Sequence, residues 1–402
     1  MSGLTVASQR GRVAPFEVMK VVAAASMRQR EHGDVISLAA GQPSSSAPAH
    51  VLAAAATALR DNPLGYTDPL GLTDLRGAIA GHYARTYDVE VDPSGVVVTT
   101  GASSAVMLAI LAGFDSGDRV AVTEPGYPAY RNMLSALGCE VVTLSCDAAT
   151  GYQPTVATVE ALEQPIRGLI VASPANPTGS VISGDVLGEL AAWSNDHGVL
   201  LVSDEIYHGI SFGARLHTAR EYSSQAVVIN SFSKFWCMTG WRLGWMLAPA
   251  GLLPAVDALT SNFSLCPPTL AQYAALQAFT DDTYVELEAH VDTYRTNRDL
   301  LIAGLSELGI DRLAPPEGAF YLYADIGHLT DSSRAWCRRL LDDTGVAVVP
   351  GVDFDSRQGD KYIRISFGGS RREVEVALDR LARWMKRQSW KPQAAPVLGG
   401  SS

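Results

Sequence analysis

Short segments rich in valine, leucine and isoleucine alternate with helical segments between residues 96 and 249, and this alternation constrains the fold more than any other feature. The predicted strands are residues 96–100, 119–123, 140–144, 168–172, 199–203, 227–230 and 243–247. Helical patterns fit between most of them, as at residues 102–114 and 186–197. Such alternation predicts an α/β fold, with a mostly parallel seven-stranded sheet flanked by helices. In these sheets ligands bind outside the carboxyl ends of the strands.

Beyond residue 267 the pattern changes to long helices and a few strands, which predicts a second, smaller α+β domain. A helix is expected from residue 270 to about 308, and strands at 319–324, 346–350 and 362–367. A closing helix starts at Ser370, where a Ser-x-x-Glu capping box with Glu373 is typical of a helix N-terminus. The predicted units are an N-terminal segment at 1–46 that packs with the small domain, a large domain at 47–290, a small domain at 291–388 and a loose tail at 389–402.

Charge and cysteine content restrict the partners and the location. The formal net charge is −11 and the basic residues are scattered, which disfavours nucleic acid and anionic membranes as partners. The apolar segment at 18–27 contains a lysine, which indicates an amphipathic helix and not a signal peptide, and no apolar run is long enough to span a bilayer. Five cysteines without paired spacing are typical of reduced thiols in a cytoplasmic enzyme. Neither Cys-x-x-Cys nor His-Glu-x-x-His occurs, so no metal site is expected.

Lys234 follows the predicted strand 227–230, which is an unusual position for a lysine because the apolar surroundings remove water from the ammonium group. Lost hydration lowers the pKa of a lysine and favours the neutral amine, which can attack a carbonyl carbon. Ser231, Ser233 and Arg242 lie close in sequence and together could bind a phosphate group. A reactive lysine beside a phosphate site suggests a Schiff base with pyridoxal 5'-phosphate.

Two other interpretations of this segment are open. Lys234 could be an exposed lysine at a strand end, because lysines are mostly exposed. Ser231 and Lys234 also match the Ser-x-x-Lys motif of penicillin-binding proteins and class A β-lactamases. That family also requires Ser-Asp-Asn and Lys-Thr-Gly motifs, and neither occurs in the sequence, which disfavours a hydrolase.

Four other predicted strands end in residues suited to a ligand. The Gly-Ala-Ser segment at 101–103 joins a strand to a helix, where backbone N–H groups and the helix dipole favour an anion. Tyr127 lies in a proline-rich turn, where its ring could stack on a flat cofactor. Asn176 is held between two prolines. Asp204 ends a strand, where a buried carboxylate requires a cation such as a protonated pyridine nitrogen, and Tyr207 would reach the ring hydroxyl.

Three strings carry a family resemblance: Asn-Pro-Thr-Gly at 176–179, Asp-Glu-Ile-Tyr at 204–207, and Ser-x-Ser-Lys with Gly-Trp-Arg-Leu-Gly within 231–244. Together they resemble class I/II aminotransferases of the aspartate aminotransferase superfamily, which have fold-type I. The resemblance covers about residues 35 to 385 and implies three catalytic residues: Lys234 forms the Schiff base, Asp204 pairs with the pyridine nitrogen, and Tyr207 contacts the ring oxygen. Cofactor-binding roles are implied for Tyr66, Gly101, Ala102, Ser103, Tyr127, Asn176, Asp204, Tyr207, Ser231, Ser233, Lys234 and Arg242.

The resemblance also implies a substrate site and a subunit arrangement. Gly41, Asn176 and Arg364 would bind the substrate, with Arg364 holding the α-carboxylate, a bidentate task suited to arginine. Tyr66 resembles the tyrosine that reaches the phosphate of the neighbouring subunit. That similarity implies a homodimer with shared active sites.

The predicted function is that of a pyridoxal-phosphate-dependent aminotransferase, which moves an amino group between an L-amino acid and a 2-oxo acid. Some aspartate-using members have a lysine at the position of Ser103, which binds the distal carboxylate. The serine favours a neutral, small or branched substrate such as alanine or valine, with pyruvate as acceptor. Arg10, Arg12 or a residue of the partner chain could restore aspartate use with 2-oxoglutarate, so an aspartate aminotransferase is the alternative. A pyridoxal-dependent lyase or decarboxylase would share the same cofactor residues.

Overall fold

The computed structural model describes residues 8–387, apart from the side chain of Gln9. The loose tail predicted for residues 389–402 lies outside this range. The α-helices within it are α1 (Glu17–His32), α2 (Ala49–Asp61), α3 (Thr73–Tyr87), α4 (Ala102–Gly113), α5 (Pro128–Leu137), α6 (Val156–Glu160), α7 (Gly184–Asp196), α8 (Leu253–Phe263), α9 (Thr269–Ala275), α10 (Asp281–Glu307), α11 (Ser333–Thr344) and α12 (Arg371–Arg387). The strands are β1 (Ile36–Ser37), β2 (Val96–Thr99), β3 (Arg119–Glu124), β4 (Glu140–Ser145), β5 (Gly168–Ala172), β6 (Leu200–Asp204), β7 (Val227–Ser231), β8 (Gly244–Leu247), β9 (Tyr321–Asp325), β10 (Val346–Ala347), β11 (Val349–Pro350) and β12 (Tyr362–Ser366).

The seven strands predicted between residues 96 and 249 form one sheet, in the order β2-β8-β7-β6-β5-β3-β4. Each observed strand agrees with its predicted bounds to within one residue. The pairs from β4 to β7 are parallel, whereas β8 runs antiparallel to both β2 and β7. The connection from β7 to β8 is a loop with one 3-10 turn and without the α-helix that usually forms the crossover between parallel strands. The predicted α/β fold with a mostly parallel sheet is confirmed.

The sheet is buried on both faces because successive side chains of each strand alternate between two layers of helices. Val228 and Trp245 pack in the core that contains the apolar residues of α3. Ile229 and Met246, their neighbours in sequence, pack in the core that contains the apolar residues of α4. Apolar residues therefore occupy both faces of the central strands, and polar groups concentrate where the strands end.

The C-terminal part carries a three-stranded antiparallel sheet in the order β11-β12-β9. The predicted capping box of the closing helix α12 is confirmed. The backbone N–H of Ser370 donates to Glu373 Oε2 at 2.8 Å, and the backbone N–H of Glu373 donates to Ser370 Oγ at 3.3 Å. Val374, Ala377 and Leu381 of this helix are buried, and α12 packs against α10. These elements form the smaller α+β part of the fold.

Two predictions for this part are wrong in detail. The helix predicted at 270–308 is divided into α9 and α10 by a 3-10 turn (Leu276–Phe279). The carbonyl oxygen of Ala278 accepts a hydrogen bond at 2.9 Å from the buried indole of Trp236, so a tertiary contact replaces a helical one. The strand predicted at 346–350 is two short strands in different sheets, because β10 pairs with β1 whereas β11 pairs with β12.

The N-terminal segment lies against the C-terminal part. β1 pairs in parallel with β10, and Arg28 of α1 forms an ion pair with Asp34 at 2.7 Å and donates to the carbonyl oxygen of Asp342 at 2.6 Å. The domain boundaries predicted from the sequence stay predictions, and the one at 290/291 falls inside α10. Within residues 8–387 no helix is both long and apolar enough to cross a membrane.

Candidate active site

A cavity of about 330 Å³ lies at the carboxyl ends of β5, β6 and β7, where the large sheet meets β9 and β12. Most of the predicted site residues line it: Gly41, Ala102, Ser103, Tyr127, Asn176, Asp204, Tyr207, Ser231, Ser233, Lys234, Arg242 and Arg364. Gly101 lies behind Arg242. Tyr66 lies apart from the cavity on the surface, with 85% of its area exposed. The parallel sheet thus brings together side chains that are far apart in the sequence.

Lys234 lines this cavity, three residues beyond the end of β7. Its ammonium Nζ donates to the carbonyl oxygen of Gly41 at 2.5 Å and lies 5.7 Å from the ring centroid of Tyr207. Burial and the positive charges of Arg364 and Arg242 lower the pKa of Lys234 to about 8, against the opposing effect of Asp204. About a tenth of the Lys234 side chains are therefore neutral amines at pH 7, far more than for an exposed lysine.

Asp204 is the last residue of β6 and is buried, with 3% of its area exposed. Its Oδ2 accepts a hydrogen bond from the hydroxyl of Tyr130, and its Oδ1 accepts one from the backbone N–H of Ile206 at 3.1 Å. Burial raises the pKa of Asp204 to about 6, against the opposing effect of these two bonds and of Lys234. A buried carboxylate of this kind is suited to a cation that enters the cavity.

The side of the cavity next to α4 has the features of a phosphate site. Gly101 is the N-cap of α4, with φ 74° and ψ 167°, so the helix N-terminus opens towards the cavity. A Cβ atom at Gly101 would lie 2.5 Å from Nη2 of Arg242, so only glycine leaves room for this guanidinium. Ser231 Oγ donates to Ser233 Oγ at 2.9 Å close by. A cation, two hydroxyls and a helix N-terminus therefore converge on one spot.

Arg364 of β12 reaches the cavity from the C-terminal part. Its Nη1 donates to Oδ1 of Asn176 at 2.9 Å, and its Nη2 donates to the carbonyl oxygen of Ala39 at 2.7 Å. The guanidinium lies over the rings of Tyr321 and Phe354, at 4.5 and 4.8 Å from their centroids. Its Nε has no hydrogen-bond partner among the described residues. Because Asn176 Oδ1 accepts from Arg364, the amide N–H groups of Asn176 remain as donors.

Several residues of the cavity were not identified from the sequence. The hydroxyl of Tyr321 forms a hydrogen bond of 2.7 Å with that of Tyr207, and a Cβ at Gly41 would lie 2.3 Å from it. Tyr130 lies one helical turn beyond Tyr127, and this i, i+3 spacing is the signal that could have found it. The ring of Tyr321 therefore sets how closely the Gly41 backbone can approach.

The N-terminal segment also reaches the cavity, which the sequence interpretation missed. Phe16, Val18 and Met19 line it, together with Asp353 from the segment between β11 and β12. The ring centroid of Phe16 lies 6.1 Å from that of Tyr127. The apolar pattern of the predicted helix at 18–27 gave no sign of this contact, because the same pattern fits ordinary core packing.

Glu205 follows Asp204 in the chain but lies on the opposite face of the sheet. Its Oε1 accepts hydrogen bonds from the backbone N–H of Ala219 at 2.9 Å and from Ser203 Oγ at 3.0 Å. Burial raises the pKa of Glu205 to about 8. The two neighbouring carboxyl groups thus lie in different environments, and of the two only Asp204 lines the cavity.

The residues present fit pyridoxal 5'-phosphate. The group needs an anion site for its phosphate, an amine for its aldehyde and a carboxylate for its ring nitrogen. The glycine-lined recess beside Arg242, the neutral amine of Lys234 and the buried carboxylate of Asp204 supply these three. The structural arrangement therefore agrees with the cofactor expected from the sequence.

Comparisons with known proteins agree with this geometry. The family model for aminotransferase class I and II matches residues 33–381. A valine–pyruvate aminotransferase from Mycobacterium tuberculosis is 52% identical over 94% of this chain and 98% of its own length. An aspartate/prephenate aminotransferase from Thermus thermophilus is 34% identical over 93% of this chain and 97% of its own length.

Solved structures show the same fold. A crystal structure of an aminotransferase from M. tuberculosis superimposes with a TM-score of 0.94 and 51% identity, covering 95% of this chain and 100% of that one. An aspartate aminotransferase from T. thermophilus with maleate gives a TM-score of 0.89 and 33% identity, over 94% of this chain and 99% of that one. The chain belongs to the class I and II aminotransferases, enzymes that use pyridoxal 5'-phosphate.

Proposed function

We propose that this aminotransferase acts on small or branched neutral L-amino acids, valine and alanine, with pyruvate as the amino acceptor. The observation that carries the proposal is the charge of the cavity lining. Within residues 8–387 the cations that line it are Lys234, Arg242 and Arg364, all of which have other tasks. The remaining wall includes Ser103 and the carboxylate of Asp353. A dicarboxylic substrate would place its second carboxylate near Asp353 without a cation to neutralise it.

Two further facts support a neutral substrate. Arg10 and Arg12, which could have supplied a distal cation, are exposed and do not line the cavity of their own chain. The relative at 52% identity carries the name valine–pyruvate aminotransferase, whereas relatives named for aspartate, such as that of T. thermophilus, are about one third identical. The aspartate alternative would need a basic residue from a second subunit.

The residues of the chain divide the chemical tasks among them. Bound pyridoxal 5'-phosphate supplies an aldehyde for the amino group and a ring that takes up electrons. Arg364 binds the α-carboxylate of the substrate through N–H groups on one edge of its guanidinium group. Lys234 Nζ is the base that takes the proton from the α-carbon, which suits an amine with a pKa of about 8. Asp204 holds the positive charge of the pyridine nitrogen.

The family resemblance assigns the remaining cofactor contacts, and the positions of these residues in or beside the cavity support it. Tyr127 would pack on the ring, and Asn176 and Tyr207 would bind its oxygen. The phosphate would be held by the helix N-terminus and the cluster around Arg242, namely Gly101, Ala102, Ser103, Ser231, Ser233 and Arg242. Substrate binding adds the backbone of Gly41, whose carbonyl oxygen already accepts from Lys234.

The substrate proposal is tested by single-turnover reactions of the holoenzyme with L-valine, L-alanine and L-aspartate, followed by cofactor absorbance. We expect rapid conversion with valine and alanine and slow conversion with aspartate. The Ser103→Lys variant is expected to raise kcat/KM for aspartate about tenfold or more, since a charge-assisted hydrogen bond contributes about 1.5–3 kcal/mol. Met107→Lys places the same charge on α4 outside the cavity lining and is the matched control. A wild-type enzyme that converts aspartate but neither neutral amino acid contradicts the proposal.

We also propose that the enzyme is a cytoplasmic homodimer with shared sites. Tyr66 supports this arrangement, because a tyrosine with 85% of its area exposed has few contacts within its own chain. Phe263 and Leu265 are exposed as well, and Ser264 between them lines a surface depression with Tyr66. The cysteines are free thiols, which supports a reducing compartment and can be checked by cell fractionation.

Subunit mixing tests the shared site. Tyr66→Ala is expected to weaken cofactor binding about tenfold, the effect of losing one hydrogen bond to a charged phosphate. Lys234→Ala subunits lack the base but keep Tyr66. In a hybrid of the two variants, one site combines an intact Lys234 with an intact Tyr66 of the partner subunit, so activity should return at low cofactor concentration. Absence of recovery, or a monomer in sedimentation, contradicts the arrangement.

A further inference from the structure

Asp353 lies at the rim of the cavity and joins three parts of the chain. It ends a 3-10 turn (Gly351–Asp353) between β11 and β12, and it is buried, with 4% of its area exposed. Its Oδ2 accepts a hydrogen bond at 3.0 Å from the backbone N–H of Val18, which belongs to the first turn of α1. The side chain thus connects the C-terminal part to the N-terminal helix beside the substrate site.

This contact replaces a cap that α1 lacks. The first N–H groups of a helix have no partner within the helix, and a side chain at the N-cap usually accepts from one of them. The N-cap of α1 is Phe16, which has no hydrogen-bonding side chain. Asp353 supplies the missing acceptor from another part of the chain, and its negative charge suits the positive end of the helix dipole.

The backbone around Asp353 is itself held by the large sheet and α5. Arg131 Nη2 donates to the carbonyl oxygen of Asp353 at 2.6 Å, and the backbone N–H of Gly126 donates to the carbonyl oxygen of Phe354 at 3.0 Å. Ser356 Oγ donates to Glu124 Oε2 at 3.0 Å. These bonds restrain the backbone at Asp353, and the side chain of Asp353 in turn positions the first turn of α1.

The position of that turn shapes one wall of the cavity. Phe16, Val18 and Met19 line it, and Phe354, next to Asp353, lies against the guanidinium of Arg364. In a bound substrate the α-carboxylate contacts Arg364 and the α-carbon lies near Lys234. The side chain of the substrate then contacts the remaining wall of the cavity. Apolar contact with the first turn of α1 would favour a larger aliphatic side chain.

We propose that Asp353 is a positioning residue for substrate selection: it caps α1 and so holds Phe16, Val18 and Met19 where they contact a branched side chain. The inference rests on the proposed function, since it concerns how the same site distinguishes valine from alanine. It predicts that the cap contributes more to valine turnover than to alanine turnover.

The experiment compares holoenzyme variants by the ratio of kcat/KM for L-valine to that for L-alanine. Asp353→Ala is expected to lower this ratio about tenfold, the range in which a hydrophobic pocket discriminates one or two methyl groups. Asp353→Asn keeps an oxygen that accepts from Val18 and should retain most of the ratio. Met19→Ala removes an apolar side chain from the cavity lining directly. This variant should lower the valine-to-alanine ratio as Asp353→Ala does.

Glu286→Ala is the matched control. Glu286 Oε2 accepts from the backbone N–H of Ala49 at 3.0 Å, a carboxylate contact of equal length to the first residue of α2, away from the cavity. This variant should leave the valine-to-alanine ratio unchanged. Hydrogen exchange gives a second readout: amides at 16–20 should exchange faster in Asp353→Ala and as in wild type in Glu286→Ala.

The outcomes separate the two proposals. A wild-type enzyme that converts neither valine nor alanine contradicts the proposed function, whatever the variants do. An active wild type with an unchanged ratio in Asp353→Ala, or with equal losses for both substrates, overturns the role of Asp353. If Asp353→Ala does not fold, an unchanged ratio in Met19→Ala overturns it in the same way.

Discussion

We expect Lys234→Ala to abolish amino transfer, lowering turnover by about 10⁴-fold, the upper range for the loss of a general base. The reason is that Lys234 is the only amine that lines the cavity within residues 8–387, and its pKa of about 8 leaves part of it neutral at neutral pH. Its loss also removes the amine that would form the Schiff base with the cofactor. Single-turnover and steady-state rates with L-valine measure the effect.

A matched control uses a lysine in a different environment. Lys386 of α12 is exposed, so Lys386→Ala should retain wild-type turnover. Lys234→Arg keeps a positive charge without an amine that can become neutral, so it should be as inactive as the alanine variant. Turnover within tenfold of wild type in either Lys234 variant would remove Lys234 from the mechanism.

Asp204→Asn is expected to have opposite effects on activity and on stability. Activity should fall by about 10²–10³-fold, comparable to the loss of one preorganised electrostatic contact in an active site. The unfolding free energy of the apoprotein should instead rise by up to about 3 kcal/mol above pH 6, the cost of shifting the pKa of one buried carboxyl from 3.8 to about 6. The amide can keep both hydrogen bonds, since the hydroxyl of Tyr130 can accept as well as donate.

The sign of the pH dependence follows from where the proton is bound. Between pH 3.8 and about 6 the folded apoprotein holds a proton on Asp204 that the unfolded chain releases, so stability falls as the pH rises through this window. The gain from Asp204→Asn is therefore absent below the window and complete above it. Denaturant unfolding at pH 4 and pH 7.5, at equal protein concentration, measures this difference. Asp257→Asn, at an exposed site, should change neither property, and a destabilised Asp204→Asn apoprotein at pH 7.5 would contradict the explanation.

The sequence predicted the sheet well because its strands are buried on both faces. Short runs of β-branched apolar residues, as in β2 and at the start of β7, are typical of strands that are buried on both faces of a sheet. The break between α9 and α10 was missed because it depends on a tertiary bond from Trp236 to Ala278. A local signal existed: Thr280 followed by two aspartates is a common helix start, and Thr280 is the N-cap of α10.

The convergence of Lys234 and Asp204 could be predicted from the sequence, whereas the contact between Asp353 and Val18 could not. Lys234 and Asp204 lie at or just beyond the ends of strands, and the topology of a parallel sheet brings such residues to one edge. Asp353 and Val18 lie more than 300 residues apart and meet through a single side-chain-to-backbone bond. No periodicity encodes such a contact, because it depends on how the N-terminal segment packs against the C-terminal part.

The neighbouring carboxyls of Asp204 and Glu205 restrict how this family member can change over evolution. Because side chains of a strand alternate between faces, one inserted or deleted residue in β6 would exchange the two positions. Glu205 would then face the cavity, and Asp204 would face Ser203 and the backbone of Ala219. Substitutions in β6 can be tolerated singly, but length changes there are expected to be absent among active descendants. Insertions in this protein should therefore occur in surface loops away from the active site and leave β6 at constant length.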